Sequence, residues 1–449
     1  MDIPTDVSPS TTPITPTTPT VPVIPSTPTS TTGPTAPPVR PAATPDLADP
    51  HFWKLSAPAR AAAFAELRRS PAPVYFGDRA SGRGFHALVR HADVLEASRN
   101  PAVFRSAPGV TTPEPARWVR LLFGDSMVNL DDPRHAQLRR IVSRAFTPRL
   151  LDRVEEDVRR ISAALVDEVE RGRPGDFVGP VAAQLPFQVI CTMMGIPEAS
   201  RRTILGLVDR NSADVGVARP LRRRFRIPGR GLAALARMQG IVAAIGRERR
   251  RRPTEDLISA LVTADVDGRR LTGRDLGAFF SLLLVAGVET TRNALAHGLH
   301  LLTVHPEQRA LLLADLDGRL DGAVDEILRY ATPIVQFRRT LAVDHELGGP
   351  GGPLLRAGEK VALYYGSANR DASVFPDPEA FDITRTPNPH VGYGGGGPHY
   401  CLGAHLARQE MTALFRELFT RLPGARSVGE PVLVPSSFDH RVRSLGFTF

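Results

Sequence analysis

The sequence predicts a single, mainly α-helical domain with small β-sheets, preceded by a disordered tail. Its 449 residues are 42% hydrophobic and 23% charged, which is ordinary for a globular protein. From about His51 onward, apolar residues recur mostly at helical spacing, and the segments of β type are short. No internal repeat and no second linker follow residue 45. We therefore expect residues 46–449 to form one domain, which is larger than most.

Residues 1–45 differ in composition from the rest of the chain. They are almost entirely Thr, Pro, Ser and small apolar residues. Proline removes backbone donors, and the segment has too little apolar bulk to bury, so we expect it to be disordered. We assign it no chemistry.

The bulk composition predicts a cytoplasmic protein. No apolar run reaches the roughly 18–20 residues that a membrane span requires. The N-terminus lacks the basic region followed by an apolar one that marks a secretory signal. Two cysteines are too few for a disulfide framework, which favours a reducing compartment.

The net charge of +9 comes almost entirely from arginine, since Lys54 and Lys360 are the only lysines. A surplus of this size raises the possibility of a non-enzymatic module that binds nucleic acid. However, the basic residues are spread along the chain, and the runs "LRRRFR" (221–226) and "RERRRR" (247–252) lie in helix-like segments. We interpret them as solvated helix faces or as a docking surface for an acidic protein, and we expect no nucleic acid.

Shorter elements can be placed from local patterns. The segments "GFHALV" (84–89) and "KVALYY" (360–365) predict strands. Residues 150–172 have helical periodicity and stop at a glycine, and residues 402–419 form a second helical pattern.

The longest predicted helix covers residues 271–306. Thr272 and Asp275 give a start that resembles a capping box, and Pro306 marks the end. About 30 helical residues span roughly 45 Å, enough to cross a whole domain. The middle is apolar on all sides, as expected of a buried helix.

Polar residues interrupt the apolar middle of this helix. A buried carboxylate such as Glu289 is costly unless it is paired or hydrated. In one interpretation it pairs with Arg292 or with a charge on another helix. In the other, Glu289 and Thr290 are an acid and an alcohol that deliver protons beside a cavity, and Gly287 lets a large group approach the backbone.

The two cysteines have different surroundings. Cys191 lies in an apolar segment and reads as a small buried hydrophobe, whereas Cys401 follows the run "GGGGPHY" and precedes a helix. A thiolate at a helix N-terminus could be a nucleophile, although it would need a base and an oxyanion site. A zinc site with His399 and His405 would have an uncommon spacing. A single thiolate ligand to a large planar metal cofactor accounts for the glycines as well.

Taken together, these segments resemble the cytochrome P-450 haem-thiolate monooxygenases. "YGGGGPHYCLG" (393–403) is similar to the family's cysteine-ligand loop, and "AGVETTR" (286–292) to the kink of its long central helix. Three further family features have counterparts at the expected places along the chain. "DDPRHAQLRR" (131–140) is similar to the helix that binds propionate, "EILR" (326–329) to the E-x-x-R motif, and "ANRDASVFPDPEAFDITR" (368–385) to the meander. The resemblance covers about residues 50–449 and implies the single-domain cytochrome P-450 fold, with haem between the long helix and the cysteine loop.

The resemblance also implies roles around haem b (iron protoporphyrin IX). Cys401 corresponds to the axial thiolate ligand, which favours cleavage of the O–O bond. Gly397 and Gly403 correspond to loop glycines that turn the backbone around the sulfur, and Tyr393 replaces the usual phenylalanine. The basic side chains implied to contact the haem propionates are His135, Arg139, Arg339 (with Arg338 as the competing choice) and His399.

Two further pairs are assigned in the same way. Glu289 and Thr290 correspond to the acid–alcohol pair that controls proton delivery during the reaction with O2, and Gly287 lies beside the cofactor. Glu326 and Arg329 correspond to a buried structural network. Many members add an arginine from the meander where this chain has Ala380, so the third partner stays unassigned.

For partners, the resemblance implies a separate ferredoxin and ferredoxin reductase, since the chain has no reductase extension. Arg140, Arg144 and Arg408 are candidates for the docking face. The motifs look most like the bacterial branch that oxidises branched lipids, terpenoids and steroids, so we expect an apolar small-molecule substrate and a monomeric enzyme.

Substrate choice is expected in residues 105–125, 200–230 and the tip Phe438–His440. A tailoring hydroxylase or epoxidase of a polyketide or carrier-bound peptide is the alternative function. A peroxide-using relative is disfavoured by Glu289 and Thr290, because such enzymes typically lack this pair.

Overall fold

The computed structural model describes residues 46–78, 84–111, 126–212, 229–264 and 271–449. The predicted tail and the run "LRRRFR" lie outside the described residues. So do parts of two segments expected to select the substrate, residues 112–125 and 213–228.

Helices account for most of the described chain, because long stretches carry apolar residues three and four positions apart. In α4, for example, Val154, Val158, Ile161, Leu165 and Val169 form one buried stripe. The α-helices of the described ranges are α1 Ala57–Arg69, α2 His91–Arg99, α3 Arg134–Ala145, α4 Pro148–Gly172, α5 Gln184–Met193, α6 Glu198–Ser212, α7 Gly229–Arg251, α8 Leu257–Thr263, α9 Gly273–Leu283, α10 Glu289–Val304, α11 Pro306–Ala314, α12 Leu316–Ala331, α13 Tyr365–Ala368 and α14 Ala404–Arg421.

The strands are short and form small sheets, as expected. A five-stranded sheet has the order β1-β2-β7-β4-β3, and its two predicted strands, β2 and β7, are parallel neighbours. Two-stranded sheets pair β5 with β6 and β8 with β9. The strands are β1 Tyr75–Phe76, β2 Phe85–Leu88, β3 Phe104–Arg105, β4 Gln336–Leu341, β5 His345–Glu346, β6 Leu354–Leu355, β7 Lys360–Tyr364, β8 Arg426–Leu433 and β9 Val442–Thr448.

The predicted long helix consists of α9, a π-helical turn at Leu284–Val288, and α10. Its start is the capping box that the sequence indicates. The Asp275 backbone N–H donates to Thr272 Oγ1 at 3.1 Å, and the Thr272 N–H donates to Asp275 Oδ2 at 3.1 Å. The π-helical turn ends directly before Glu289, so the irregularity lies where the polar residues begin.

The main hydrophobic core surrounds this helix. A Cβ at Gly298 of α10 would come within 2.8 Å of Phe415 on α14 and within 2.9 Å of Ile327 on α12. Glycine therefore allows α10 to pack closely on the helix that follows Cys401 and on the helix that carries the E-x-x-R motif. Within the described part of the chain, no helix has the length and apolar character needed to cross a membrane.

Candidate active site

Cys401 lies between the glycine-rich loop and the first turn of α14. Its backbone N–H donates to the Tyr393 carbonyl at 3.0 Å, which closes the loop, and Gly403 is the residue that precedes the helix. The residue has surface exposed to solvent, while the protein around the thiol still partly desolvates it. That burial of the sulfur raises the pKa of the Cys401 thiol, while the Gly403 N–H and the Arg139 guanidinium act in the opposite direction.

The four consecutive glycines pack against the protein itself. Gly394, Gly396 and Gly397 have φ values of 99°, 87° and 74°, a region that side chains rarely adopt. A Cβ at Gly397 would also lie 2.3 Å from the Ser98 carbonyl oxygen at the end of α2. The sequence interpretation gave the glycines a purpose only toward a cofactor. The structure adds a second one, since they let the loop fit against α2.

The basic side chains that the sequence singles out come together beside this loop. The rings of His135 on α3 and His399 in the loop are 4.1 Å apart between centroids. One turn along α3, Arg139 Nη2 donates to the Tyr400 carbonyl at 2.9 Å. Ser106, which the sequence analysis missed, has its Oγ 2.9 Å from His399 Nε2.

The surroundings of this cluster disfavour the charged form of both of its histidines. Burial, together with the positive charges of Arg339, His135 and Arg139, lowers the pKa of His399 to about 3. Burial also lowers the pKa of His135, partly offset by Asp132. Nδ1 of His135 is buried and lies 3.7 Å from Asp132 Oδ1, too far for a hydrogen bond. The permanent charges of Arg139 and Arg339, with the imidazole N–H groups beside them, are donors that suit an anion.

The two adjacent arginines of β4 point to opposite faces of the strand, as residue alternation requires. Arg339 interacts electrostatically with Tyr365, Asp131 and His399. Arg338 instead acts on Tyr364, which packs against α1 and its flanking residues. Of the two, Arg339 is therefore the one beside the basic cluster, in line with the preference drawn from the sequence.

Glu289 is buried and is paired in the way that the first interpretation of the sequence expects. Arg292 Nη2 lies 2.5 Å from Glu289 Oε2, and Arg441 Nε lies 3.6 Å from the same oxygen. Arg441 directly precedes β9, so the second charge comes from the C-terminal hairpin. Pairing does not exclude a role in proton transfer, because an ionised acid needs such partners when it is buried.

Thr290 and Gly287, which lie close to Glu289 in the chain, both contact other parts of the protein. Thr290 Oγ1 donates to the Ala286 carbonyl at 2.5 Å. A Cβ at Gly287 would lie 2.7 Å from Ile190 Cδ1, so this glycine allows α5 to pack closely on the long helix. Its expected position beside a cofactor remains a prediction.

Comparison with known proteins agrees with these features. Residues 114–422 match the sequence profile of the family described as Cytochrome P450. The chain is 43% identical to a methyl-branched lipid omega-hydroxylase of Mycobacterium tuberculosis (strain ATCC 25618 / H37Rv), over 91% of this chain and 95% of that protein. The chain belongs to the cytochrome P450 family. It is also 35% identical to a steroid C26-monooxygenase of Mycolicibacterium smegmatis, over 83% of this chain and 87% of that protein.

A solved structure extends the similarity to the fold. The structure of Mycobacterium marinum cytochrome P450 CYP268A2 in complex with pseudoionone superposes with a TM-score of 0.82. It is 43% identical in sequence, and the match covers 92% of this chain and 100% of that one. The protein is therefore a cytochrome P450 monooxygenase, and the family implies a haem-thiolate iron cofactor. The residues present fit such a cofactor, since Cys401 lies beside a cluster of arginine and histidine side chains whose N–H groups suit carboxylates.

The P450 E-x-x-R motif forms a completely buried network. Arg329 donates from Nε and Nη2 to the two Glu326 oxygens at 2.8 and 2.7 Å. Its remaining N–H groups donate to the Asn369, Pro378 and Ala380 carbonyls at 2.8–2.9 Å. The meander arginine that the sequence left unassigned is Arg385, whose Nε lies 3.3 Å from Glu326 Oε2. Ala380 thus contributes its backbone carbonyl, and the arginine comes from five positions further along the meander.

The predicted docking residues differ in their surroundings. Arg140 and Arg144 are exposed on α3. Arg408 forms an ion pair with Asp325, and its guanidinium lies 5.8 Å from the centre of the Tyr393 ring. Its charge is therefore partly neutralised within the protein.

The sequence analysis also missed an acid on α14. Glu410 is buried, and burial raises its pKa to about 8, with Thr291 of the long helix acting in the opposite direction. The apolar spacing of α14 could have revealed it, because Glu410 shares a face with Leu414.

Proposed function

We propose that this monooxygenase hydroxylates an apolar, lipid-like small molecule such as a branched lipid, a terpenoid or a steroid side chain. The observation that carries the proposal is the 43% identity, over nine-tenths of the chain, with a methyl-branched lipid omega-hydroxylase. The steroid C26-monooxygenase relative and the neighbour in complex with pseudoionone are consistent with it.

Apolar surface at the kink of the long helix supports an apolar substrate. Val285 is 46% exposed and lies in the π-helical turn between the buried residues Leu284 and Val288. Thr290 lies five residues further along the same helix. The Phe438 ring packs against Phe337 at 5.6 Å between centroids and adds an aromatic wall at the predicted tip.

The cofactor we propose is haem b, with O2 as co-substrate. When bound through a thiolate, haem supplies the chemistry that activates O2. Cys401 would bind the iron. His135, Arg139, Arg339 and His399 would hold the propionates, because buried carboxylates require charged donors.

We further propose that Glu289 and Thr290 control protons beside this cofactor. The Thr290 hydroxyl donates a hydrogen bond to the Ala286 carbonyl, so the lone pairs of its oxygen stay available to accept one. In that orientation the oxygen can hold a water or another O–H donor in place. Glu289 is the buried acid that can take up and return a proton, and the surrounding apolar residues exclude excess water.

For electron supply we propose a separate ferredoxin and ferredoxin reductase. The exposed Arg140 and Arg144 on α3, the helix that also carries Arg139 beside the Cys401 loop, suit an acidic partner. Replacing both arginines by glutamate should slow reduction of this protein by an acidic ferredoxin, and the effect should be strongest at low ionic strength. Equal rates for the variant and the parent protein at low salt would contradict this docking face.

A spectral titration tests the substrate class. The purified haem protein would be titrated with methyl-branched fatty acids, sterols, a terpenoid and a macrolide, and the low-spin to high-spin shift of the haem would be recorded. We expect micromolar shifts with the branched lipids or sterols, as suits burial of many methylene groups at about 0.8 kcal/mol each. A shift with the macrolide alone would overturn the proposed substrate class and favour a tailoring hydroxylase.

A further inference from the structure

A chain of alternating charges runs from the long helix to the C-terminal hairpin. Arg292, Glu289, Arg441 and Asp439 follow one another through contacts of 2.5, 3.6 and 3.0 Å. Their side chains are 14%, 8%, 12% and 5% exposed, so the network is shielded from water and from salt. Each charge in this series contacts at least one charge of opposite sign, which is what makes their burial tolerable.

Arg292 and Arg441 do more than neutralise Glu289. Both guanidinium groups lie near the same carboxylate oxygen, Oε2, and the Arg441 contact, at 3.6 Å, is an ion pair rather than a hydrogen bond. Arg292 is on the same helix three residues away, and Arg441 belongs to another element. Contacts from two elements restrict the rotation of a carboxylate more than a contact within one helix does, because the two elements do not move together.

Asp439 in turn fixes the Arg441 guanidinium. Arg441 Nε and Nη2 both lie near Asp439 Oδ2, at 3.1 and 3.0 Å. The segment that carries these residues is anchored to the long helix. His297 Nε2 bonds the His440 carbonyl at 3.0 Å, and the Val442 N–H donates to Asn293 Oδ1 at 3.1 Å.

The same segment is tied to the chain that leads into β4. The Val335 N–H donates to the Phe438 carbonyl at 2.8 Å, and the His440 N–H donates to the Pro333 carbonyl at 2.9 Å. Arg441 is therefore held on a rigid frame, and its position relative to the long helix is set by tertiary contacts.

We propose that Arg441 is a positioning residue for the Glu289 carboxylate, and that Asp439 holds Arg441 in place for this purpose. This inference rests on the proposed role of Glu289 in proton delivery. Without Arg441, the Glu289 oxygen loses its contact with the hairpin. Proton delivery then becomes slower and less well coupled to product formation, while the substrate and the haem still bind.

The test compares Arg441→Gln, Arg441→Lys and Asp439→Asn with a control, Arg443→Gln. Arg443 is exposed on β9 two residues further on, so the control removes the same charge without touching the network. For each protein one would measure haem content, the spectral dissociation constant of the substrate, kcat, product formed per reductant consumed, and the solvent hydrogen isotope effect.

We expect Arg441→Gln to keep its substrate affinity and to lose about 10- to 100-fold in kcat, since displacing a catalytic group by about 1 Å costs up to about 100-fold. Its solvent isotope effect should rise. Arg441→Lys should recover part of the loss, because the charge is restored without the planar fork. Asp439→Asn should give a smaller loss with the same signature, and Arg443→Gln should behave like the parent protein.

Three results would overturn the proposal. One is an Arg441→Gln protein with full haem content whose coupling and isotope effect match those of Arg443→Gln. Another is a loss that tracks haem content in all Arg441 and Asp439 variants, which would make the network purely structural. The third is a loss that Arg441→Lys leaves uncorrected while substrate affinity falls in parallel. The variant Glu289→Gln separates the proposed role of Glu289 from the positioning role of Arg441. Unchanged coupling in Glu289→Gln would remove the proposed role of Glu289 itself. Reduced coupling in Glu289→Gln together with normal coupling in Arg441→Gln would remove only the positioning role.

Discussion

Replacement of Glu326 by glutamine tests the buried network behind the cysteine loop. In the native protein Glu326 Oε1 accepts from Arg329 Nη2 and the Asp382 N–H, at 2.7 and 2.9 Å. Oε2 accepts from Arg329 Nε and Asn388 Nδ2, at 2.8 and 3.0 Å. Glutamine keeps the shape, but in either orientation its NH2 group faces two donors, and the completely buried Arg329 loses its counter-ion.

Removing one partner of a buried ion pair typically costs about 3–5 kcal/mol. The unfolding entropy is about 2.1 cal/mol/K per residue, or about 0.8 kcal/mol/K for about 400 residues, so the midpoint should fall by about 4–6 °C. Thermal unfolding followed by circular dichroism at a fixed scan rate measures this shift, and haem content measured in parallel should also fall.

The chain offers a matched control for this change. Glu66 and Arg69 have the same three-residue spacing on α1, but their side chains are 53% and 68% exposed. Glu66→Gln should therefore leave the midpoint unchanged, because exposed pairs contribute little. If Glu326→Gln unfolded at the same temperature as Glu66→Gln and kept its haem, the reasoning about burial would be refuted.

Three further predictions concern single residues. Thr290→Ala should bind substrate normally yet divert reducing equivalents to peroxide, as measured by product formed per reductant consumed. Gly397→Ala should lower haem content and stability, because its Cβ would lie 2.3 Å from the Ser98 carbonyl, whereas Gly358→Ala, also at positive φ but without neighbours, should cost only backbone strain. Glu410→Gln should flatten the pH dependence of stability. The raised pKa of Glu410 means that the folded protein holds a proton that the unfolded chain releases between about pH 4.5 and 8, so stability falls as the pH rises through this range.

Each of these predictions has a contrary outcome. Full coupling in Thr290→Ala would remove the hydroxyl from proton control. Equal stability of the Gly397 and Gly358 variants would show that α2 yields to the loop. A Glu410→Gln protein whose unfolding free energy still fell as steeply between pH 4.5 and 8 would show that another group carries the titration.

The local features of the site could be predicted because they depend on residues close in sequence. Thr272 and Asp275 mark the start of the long helix by a hydrogen-bonding pattern that needs only four residues. The position of Cys401 before α14 follows in the same way from the glycines before it and the apolar spacing after it.

The remaining features depend on contacts between distant segments, which periodicity does not encode. The loop glycines contact Ser98, which is about 300 positions earlier in the chain. Arg441 reaches Glu289 only because the hairpin folds back on the long helix. Arg385 could not be chosen in advance because the meander is irregular. Moving the arginine five positions from Ala380 to Arg385 changes no recognisable pattern of residues there.

The central claim is that the Cys401 sulfur is the axial ligand of the haem iron. The most direct measurement is the carbon monoxide difference spectrum of the dithionite-reduced protein, recorded for the parent protein, Cys401→Ser and Cys191→Ser. Cys191 is completely buried in the main core and serves as the control for loss of a cysteine. The parent protein and Cys191→Ser should show the red-shifted band of a thiolate-ligated haem, and Cys401→Ser should lack it. A Cys401→Ser protein that kept this band would contradict the account.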